Sequence, residues 1–310
     1  MQRRRVRRWL RGRERWCDRR RSHRPHLPHR PLRAPLRPAA AGIAFMAMAA
    51  VPLSPAGAVP TAGGGAPLVI AHRGASRYAP ENTLAAVDAA HHRGFLWVEN
   101  DVQRTKDGKL VVLHDTTLRR TTDAEAVFPG RAPWRVRDFT AAEIARLDAG
   151  SWFGRRFAGE RVPTLAAYLR RLDANGQRLL LEIKSPGTYP GIERDVVREL
   201  RHHGWLDRDH VRHRLVVQSF GVPCIKTFHG LVPQVRTGIL GSPPLDRLAG
   251  YARFADEINP RMSTLSSRWI KAVHRLRGPH GRPLEIYAWD VGKNTTVKWA
   301  RARGIEGVVT

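Results

Sequence analysis

The sequence predicts an α/β fold, a TIM (β/α)8 barrel over residues 67–310. Three observations lead there. Pro67 to Thr310 span 244 residues, close to the ~250 typical of such a barrel. Short apolar runs alternate with helix-like stretches, the pattern of a parallel sheet covered by helices. Side chains able to do chemistry fall at the carboxyl ends of those runs, where parallel barrels carry their sites.

The strand candidates are Leu68–Ala71, Leu96–Val102, Leu110–Leu113, Arg178–Ile183, Leu215–Ser219, Val235–Leu240, Asp256–Asn259, Leu284–Trp289 and Glu306–Val309. Nine is one too many for a ring of eight. Leu110–Leu113 follows its predecessor after a short Lys106-Asp107-Gly108 turn, so it reads as an extension above the barrel and not as a stave. Helices are expected at Asn82–His92, Leu165–Ala174, Gly191–His203, Pro244–Arg253, Arg268–Arg277 and Lys293–Arg303. Residues 115–163 hold no clear strand but carry Trp134, Trp152, Phe153 and Phe157, an excursion expected to pack over one rim. A barrel of this kind calls for a covering helix after its last strand. Either the chain continues past Thr310 or residues elsewhere cover that face.

The formal charge is +27, unevenly spread. Residues 1–38 hold 15 Arg against Glu14 and Asp18, a net +13 that leaves +14 for the rest. A charge of this size points to nucleic acid when it sits on the fold. Half of it lies in the first 38 residues, so no nucleic-acid partner is expected. That segment reads as an export leader: an Arg-rich start, an apolar run Ala39–Leu53, then Ala56-Gly57-Ala58 as a small-x-small cleavage site. The run is shorter than the ~20 residues that cross a bilayer, so no stable membrane span is expected. The division is therefore 1–58 basic region and export signal with cleavage after Ala58, 59–66 a glycine-rich linker, and 67–310 the barrel. The mature chain is expected to be secreted or held at the cell surface. Cys224 stands alone after cleavage and is read as a core residue.

Strand side chains alternate faces. Glu99 and Asp101 therefore point the same way, as do Glu182 and Lys184, while Val98, Val102, Leu181 and Ile183 face the covering helices. His72 and His114 each follow an apolar run. Glu99, Asp101 and Glu182 make a hard-oxygen set suited to Mg²⁺ or Ca²⁺, since Zn²⁺ prefers His or Cys. Without a cation the three carboxylates repel one another. Arg73 offers a forked donor to two phosphate oxygens and Lys184 a point charge. The two imidazoles can act as an acid and a base near neutral pH. Gln218 and Trp289, each at a strand end, are placed at the mouth, where core packing is the plainer alternative for Trp289.

The motifs AHRG, PENT, ExDVQxTKDG, VVLHD, RRTTD, PTL, LLLEIK and VVQSF, in that order, resemble the glycerophosphodiester phosphodiesterase family from about residue 68 to 310. The resemblance implies a TIM barrel with a small inserted segment after the second strand. It implies a metal-dependent hydrolase that yields glycerol 3-phosphate and an alcohol. It also implies roles: His72 and His114 as the acid/base pair, Arg73 and Lys184 as phosphate contacts, and Glu99, Asp101 and Glu182 as metal ligands. In that family the glycerol hydroxyl beside the phosphate attacks first, giving a cyclic phosphate that water opens; His72 is taken as base and His114 as acid. The partners implied are small glycerophosphodiesters or the ends of glycerol-phosphate polymers, and a monomer or weak associate is expected. Two departures from the pattern stand out. Asn100 occupies a usually apolar position facing the helix layer, where it needs hydrogen-bond partners. Asp290-Val291-Gly292 replaces a Thr-Val-Asn after Trp289, so any contact of that Asn is lost or is supplied by Asn294.

Plainer roles fit some of the other polar residues. Glu81 and Asn82 are expected to shape a loop and cap the following helix, with site support by Asn82 an equal alternative. His91-His92 and His202-His203 read as solvated helix faces. Two rival functions remain: a sphingomyelinase D-like or phosphoinositide-type phospholipase on a related barrel, and a non-catalytic polyanion-binding barrel.

Overall fold

The computed structural model describes residues 66–290 and 297–310. The regions assigned above to the leader, to residues 59–65 of the linker and to Asn294 lie outside the described residues.

Among the described residues nine strands form one sheet: β1 Leu68–Ala71, β2 Trp97–Arg104, β3 Leu110–Val112, β4 Arg178–Ile183, β5 Leu215–Ser219, β6 Arg236–Leu240, β7 Glu257–Asn259, β8 Tyr287–Ala288 and β9 Gly307–Val309. Their order is β7-β6-β5-β4-β2-β1-β9-β8, all parallel, and β3 pairs antiparallel with β2 off this path. Parallel bridges Glu257↔Glu285 and Arg261↔Trp289 link the two ends of the path. The result is a ring of eight with β3 outside it, as the turn at Lys106-Asp107-Gly108 indicated. Leu284–Trp289 is shorter as a strand than expected: only Tyr287 and Ala288 form a ladder, and the flanking residues are held by single bridges.

Two apolar layers follow from the alternation of side chains. Ile70, Trp97, Leu180, Val216, Tyr287 and Val309 cluster together, with partly buried Trp289 packed against them. Their strand neighbours Ala71, Val98, Val102, Leu179, Leu181 and Val217 belong to the larger cluster that the covering helices share. Those helices present a stripe at intervals of three and four, as Leu165, Tyr168, Leu169 and Leu172 do in Leu165–Ala174. Thr83, Thr164 and Ser266 cap their helices through the side-chain oxygen.

Several expectations are corrected. A helix at Val222–Leu231 was not foreseen; Pro223 in its first turn suits a helix start, and Cys224, Ile225 and Phe228 form its buried face. Pro244–Arg253 is a 3-10 turn, Leu245–Arg247, followed by the short helix Leu248–Tyr251. The first helix runs Leu84–His92 and its cap is Thr83, not Asn82. Asn100 is fully buried, but neither amide atom has a hydrogen-bond partner; the partners expected in the helix layer are not there.

Residues 113–163 leave β3 and return beside it, where Val112 N–H donates to the Pro163 carbonyl at 2.9 Å. This insert has its own core of Val111, Leu113, Leu118, Val136, Phe139, Ile144 and Leu147. Of the four aromatics singled out in this segment, Trp134 packs against that core and Trp152 is exposed. Within the insert Asp148 accepts from the N–H groups of Gly150, Ser151 and Gly159, each at 2.8 Å, which folds the loop around one carboxylate. Among the described residues no helix is long and apolar enough to cross a membrane.

Candidate active site

On β1, β2, β4, β5 and β8 the inner-face residues run from the barrel interior to its mouth in steps of two. Ile70 gives way to His72, Trp97 to Glu99 and Asp101, Leu180 to Glu182 and Lys184, Val216 to Gln218, and Tyr287 to Trp289. The lower residues fill the barrel and the upper ones line a cavity of about 380 Å³ at the carboxyl ends of the strands. His72, Arg73, Glu99, His114, Glu182, Lys184, Gln218 and Trp289 all line it. Every site residue expected from the sequence therefore lies on this cavity except Asp101, which is buried just behind it at 1 % exposure.

The carboxylates meet through strand register. In the parallel β2–β4 pair Asp101 stands opposite Glu182 and Glu99 opposite Leu180. Glu99, Asp101 and Glu182 each offer an oxygen, and these lie within 4.8 Å of one another. Burial, with repulsion from Asp101 and Glu182, raises the Glu99 carboxyl well above its ordinary range. Burial and Asp101 push Glu182 up to about 8. Burial works the same way on Asp101, but Lys184 and Arg73 outweigh it and hold that carboxyl low. The Lys184 ammonium lies 2.8 Å from Glu182 and 3.5 Å from Asp101. Oε1 of Glu182 is nonetheless buried without a hydrogen bond of good geometry. Three buried carboxylates with oxygens this close fit a hard divalent cation, which would relieve the repulsion.

Arg73 takes a left-handed backbone (φ 54°) and is followed by Gly74 at φ 77°. A Cβ on Gly74 would lie 2.6 Å from Ala86 Cβ, so only glycine lets the chain turn this tightly against the first helix. The turn aims the Arg73 N–H at Glu99 Oε2 (2.9 Å) and swings the guanidinium to within 3.5 Å of Asp101. Its Nη1 donates to Glu81 at 2.8 Å. His72 Nε2 lies 4.0 Å from Glu99. Burial, and then the Arg73 charge, lower the His72 pKa to about 4, so its imidazole is neutral at pH 7 and free to accept a proton. The Nδ1 of His114 is 2.8 Å from Asp115 Oδ1. A histidine held so through Nδ1 keeps Nε2 for the cavity.

The opposite wall is aromatic. Phe220 and Trp289 meet edge to face with centroids 5.9 Å apart, and Lys184 Nζ is 5.8 Å from the Phe220 ring centre. Gln218 accepts from Asn259 at 2.9 Å, and Trp289 donates to the Asn259 carbonyl at 3.0 Å. Asp290 pairs with Arg261 at the rim.

Sequence reasoning left one support open and missed another. Of the two roles open to Asn82, support of the site is the one it has: at φ 60° it donates to Asp101 Oδ2 at 2.8 Å and accepts from the Asp101 N–H at 3.3 Å. Asn is one of few residues at ease in that backbone region, which was the available signal. Asp115 was read only as part of a His-Asp motif, although a carboxylate next to a strand-end histidine is a familiar way to fix its tautomer.

Residues 72–310 match the family model described as glycerophosphoryl diester phosphodiesterase family. The chain is 36 % identical over 247 residues to YhdW of Bacillus subtilis, a protein named as an inferred glycerophosphodiester phosphodiesterase, covering 78 % of this chain and 93 % of that one. A glycerophosphodiester phosphodiesterase of Caldanaerobacter subterraneus is 32 % identical over 245 residues, with the same coverage of 78 % and 93 %. Among solved structures, an Oleispira antarctica phosphodiesterase in complex with the product sn-glycerol-3-phosphate superposes with a TM-score of 0.67 at 28 % identity, covering 79 % of this chain and 92 % of that one.

Proposed function

Because the chain belongs to the glycerophosphoryl diester phosphodiesterase family, we propose that the cavity at its barrel mouth cleaves glycerophosphodiesters by histidine acid/base catalysis beside a divalent cation. The protein is a phosphoric diester hydrolase that releases glycerol 3-phosphate and an alcohol. The observation that carries the mechanism is the convergence of three buried carboxylates within 4.8 Å, next to two imidazoles and two cationic side chains on one cavity.

Glu99, Asp101 and Glu182 would hold Mg²⁺ or Ca²⁺, whose charge supports a phosphoryl oxygen as negative charge grows on it. Arg73 and Lys184 grip the other phosphate oxygens, the first as a fork and the second as a point charge. Neutral His72 takes the proton of the attacking glycerol hydroxyl. As that oxygen bonds to phosphorus, the bond to the leaving alcohol breaks and His114 supplies the alcohol's proton. Water then opens the cyclic phosphate with the proton transfers reversed, restoring both histidines.

The aromatic wall of Phe220 and Trp289 would take the uncharged part of the substrate. Among the described residues the exposed large apolar ones are Tyr78, Leu96, Trp152, Phe220, Leu231 and Leu245, no two adjacent in sequence. They supply no apolar loop tip for entering a bilayer, so soluble diesters or glycerol-phosphate polymer ends are favoured over intact lipids. The leader composition supports export, with a mature N-terminus near Val59; N-terminal sequencing that finds Met1 on secreted protein would refute it.

The test is hydrolysis of glycerophosphocholine, scored as glycerol 3-phosphate release. A chelator should abolish it and Mg²⁺ or Ca²⁺ restore it. Turnover that ignores the chelator would overturn the metal assignment and leave the family activity standing.

A further inference from the structure

We propose that Arg120, supplied by the insert, is a positioning residue that locks the phosphate-binding arm and the His114 imidazole into one geometry. The proposal rests on the diesterase reading of the cavity and adds a residue that does not line it. One edge of the Arg120 guanidinium grips Glu81: Nη1 donates to Oε2 at 2.9 Å and Nη2 to Oε1 at 2.7 Å. The other edge grips Asp115: Nε donates to Oδ2 at 2.7 Å and Nη2 to Oδ1 at 2.9 Å. Both carboxylates pass this order on. Glu81 Oε1 also accepts from Arg73 Nη1 at 2.8 Å, and Asp115 Oδ1 lies 2.8 Å from His114 Nδ1. In the series Arg73, Glu81, Arg120, Asp115, His114, guanidinium and carboxylate thus alternate up to the imidazole, and its two ends reach the cavity.

The geometry requires arginine. Two carboxylates gripped bidentately by one cation need a planar fork with donors on two edges, which an ammonium lacks. Hydrogen bonds from Arg120, and then from His114, hold the Asp115 carboxyl at about 2, so it stays an ionised acceptor. The Nδ1–H of His114 is thereby committed to Asp115, and Nε2 is presented to the substrate. The other end holds the Arg73 fork on Glu81, so that its Nε stays 3.5 Å from Asp101 and does not close further on that cation ligand. The Arg120 side chain is 44 % exposed, but its pairs are bidentate and joined in a network, the case in which exposed ion pairs do contribute to stability, so folding is read beside turnover. A large effect on turnover with a small effect on folding is what separates positioning from scaffolding.

The experiment compares Arg120→Ala and Arg120→Lys with Arg131→Ala. Arg131 lies in the same insert and holds Glu143 and the Asp138 carbonyl, away from the cavity. Rates of glycerol 3-phosphate release from glycerophosphocholine are measured with saturating divalent cation. Both Arg120 variants should lower kcat by about 10- to 100-fold and raise KM, because both the imidazole and the phosphate fork lose their hold. Free guanidinium should restore part of the Arg120→Ala rate where sodium at equal ionic strength does not, and Arg131→Ala should match wild type. In the proton NMR spectrum the His114 Nδ1–H resonance should be present in wild type and lost in Arg120→Ala. Wild-type kcat and KM in Arg120→Ala would overturn the proposal. So would a fall in kcat with unchanged KM and no guanidinium response, the mark of a smaller folded fraction. A wild-type protein that released no glycerol 3-phosphate would instead sink the diesterase reading, and the NMR comparison would still decide the role of Arg120.

Discussion

Asn82 offers the sharpest check on how the carboxylate cluster is held. Its amide makes the short bond to Asp101 Oδ2, 2.8 Å, where Arg73 and Lys184 stand off at 3.5 Å. The same side chain accepts the Asp101 N–H at 3.3 Å, and its own backbone sits at φ 60°. Two changes separate these contributions. Asn82→Gly loses the side-chain bonds but fits the backbone; a hydrogen bond to a charged, buried acceptor is worth about 1.5–3 kcal/mol. Asn82→Ala loses the same bonds and adds the left-handed penalty of a residue with a Cβ, about 1–2 kcal/mol. The order of stability should therefore be wild type, then Gly, then Ala, read by urea unfolding in chelator so that cation binding does not enter. Loss of the amide also frees Asp101 to rotate away from Glu99 and Glu182, and divalent-cation affinity should fall about 10- to 100-fold in both variants. A Gly variant with wild-type stability and cation affinity would refute the reasoning. An Ala variant more stable than Gly would refute the backbone part alone.

His72→Ala and His114→Ala should each reduce kcat by more than about 100-fold, the usual scale of acid–base catalysis; a well-folded variant with near-normal turnover would remove that histidine from the mechanism. Stability in acid has a defined sign at Glu143, whose carboxyl is held at about 2 by the Thr140 N–H and by Arg131. The folded value lies below the unfolded one, so the stabilisation is present above the ordinary glutamate range and is lost as pH falls through about 2. Glu143→Gln should flatten the fall of unfolding free energy in that window, followed by tryptophan fluorescence in urea, and an unchanged slope would show that other carboxylates carry it.

The sequence made the ring legible because strands buried on both faces read as short apolar runs, and because the one run joined by a three-residue turn could not be a parallel neighbour. It located the chemistry because polar residues in steps of two had to emerge together at one end of those runs. It was weaker where packing, not local pattern, decides. Val222–Leu231 hides its helical face in only Cys224, Ile225 and Phe228, and Pro223 reads as a breaker unless it is recognised as a first-turn residue. The insert draws its core mostly from aliphatic residues scattered between Val111 and Val162, together with Phe139, a spacing with no helical or strand period to announce it.

What the sequence could not show is why the three carboxylates stay where they are. Glu99 and Asp101 share a face by spacing alone, but their approach to Glu182 depends on the register of β2 against β4. A slip of one residue would turn Glu182 into the helix layer and replace it with Ile183. Apolar residues oppose that slip on both sides: Trp97 and Leu180 fill the barrel, Val98, Leu181 and Ile183 the outer layer. The repulsion among the acids is thus resisted by burial of the residues between them. Asn82, Arg73 and Lys184 then set how each carboxylate is oriented. Those three lie 19, 28 and 83 residues from Asp101 along the chain, and only folding brings them to it. Apolar spacing can be read from a single strand, whereas the partners of a buried charge come from separate loops and strand ends, so the scaffold was more legible than the supports of its acids.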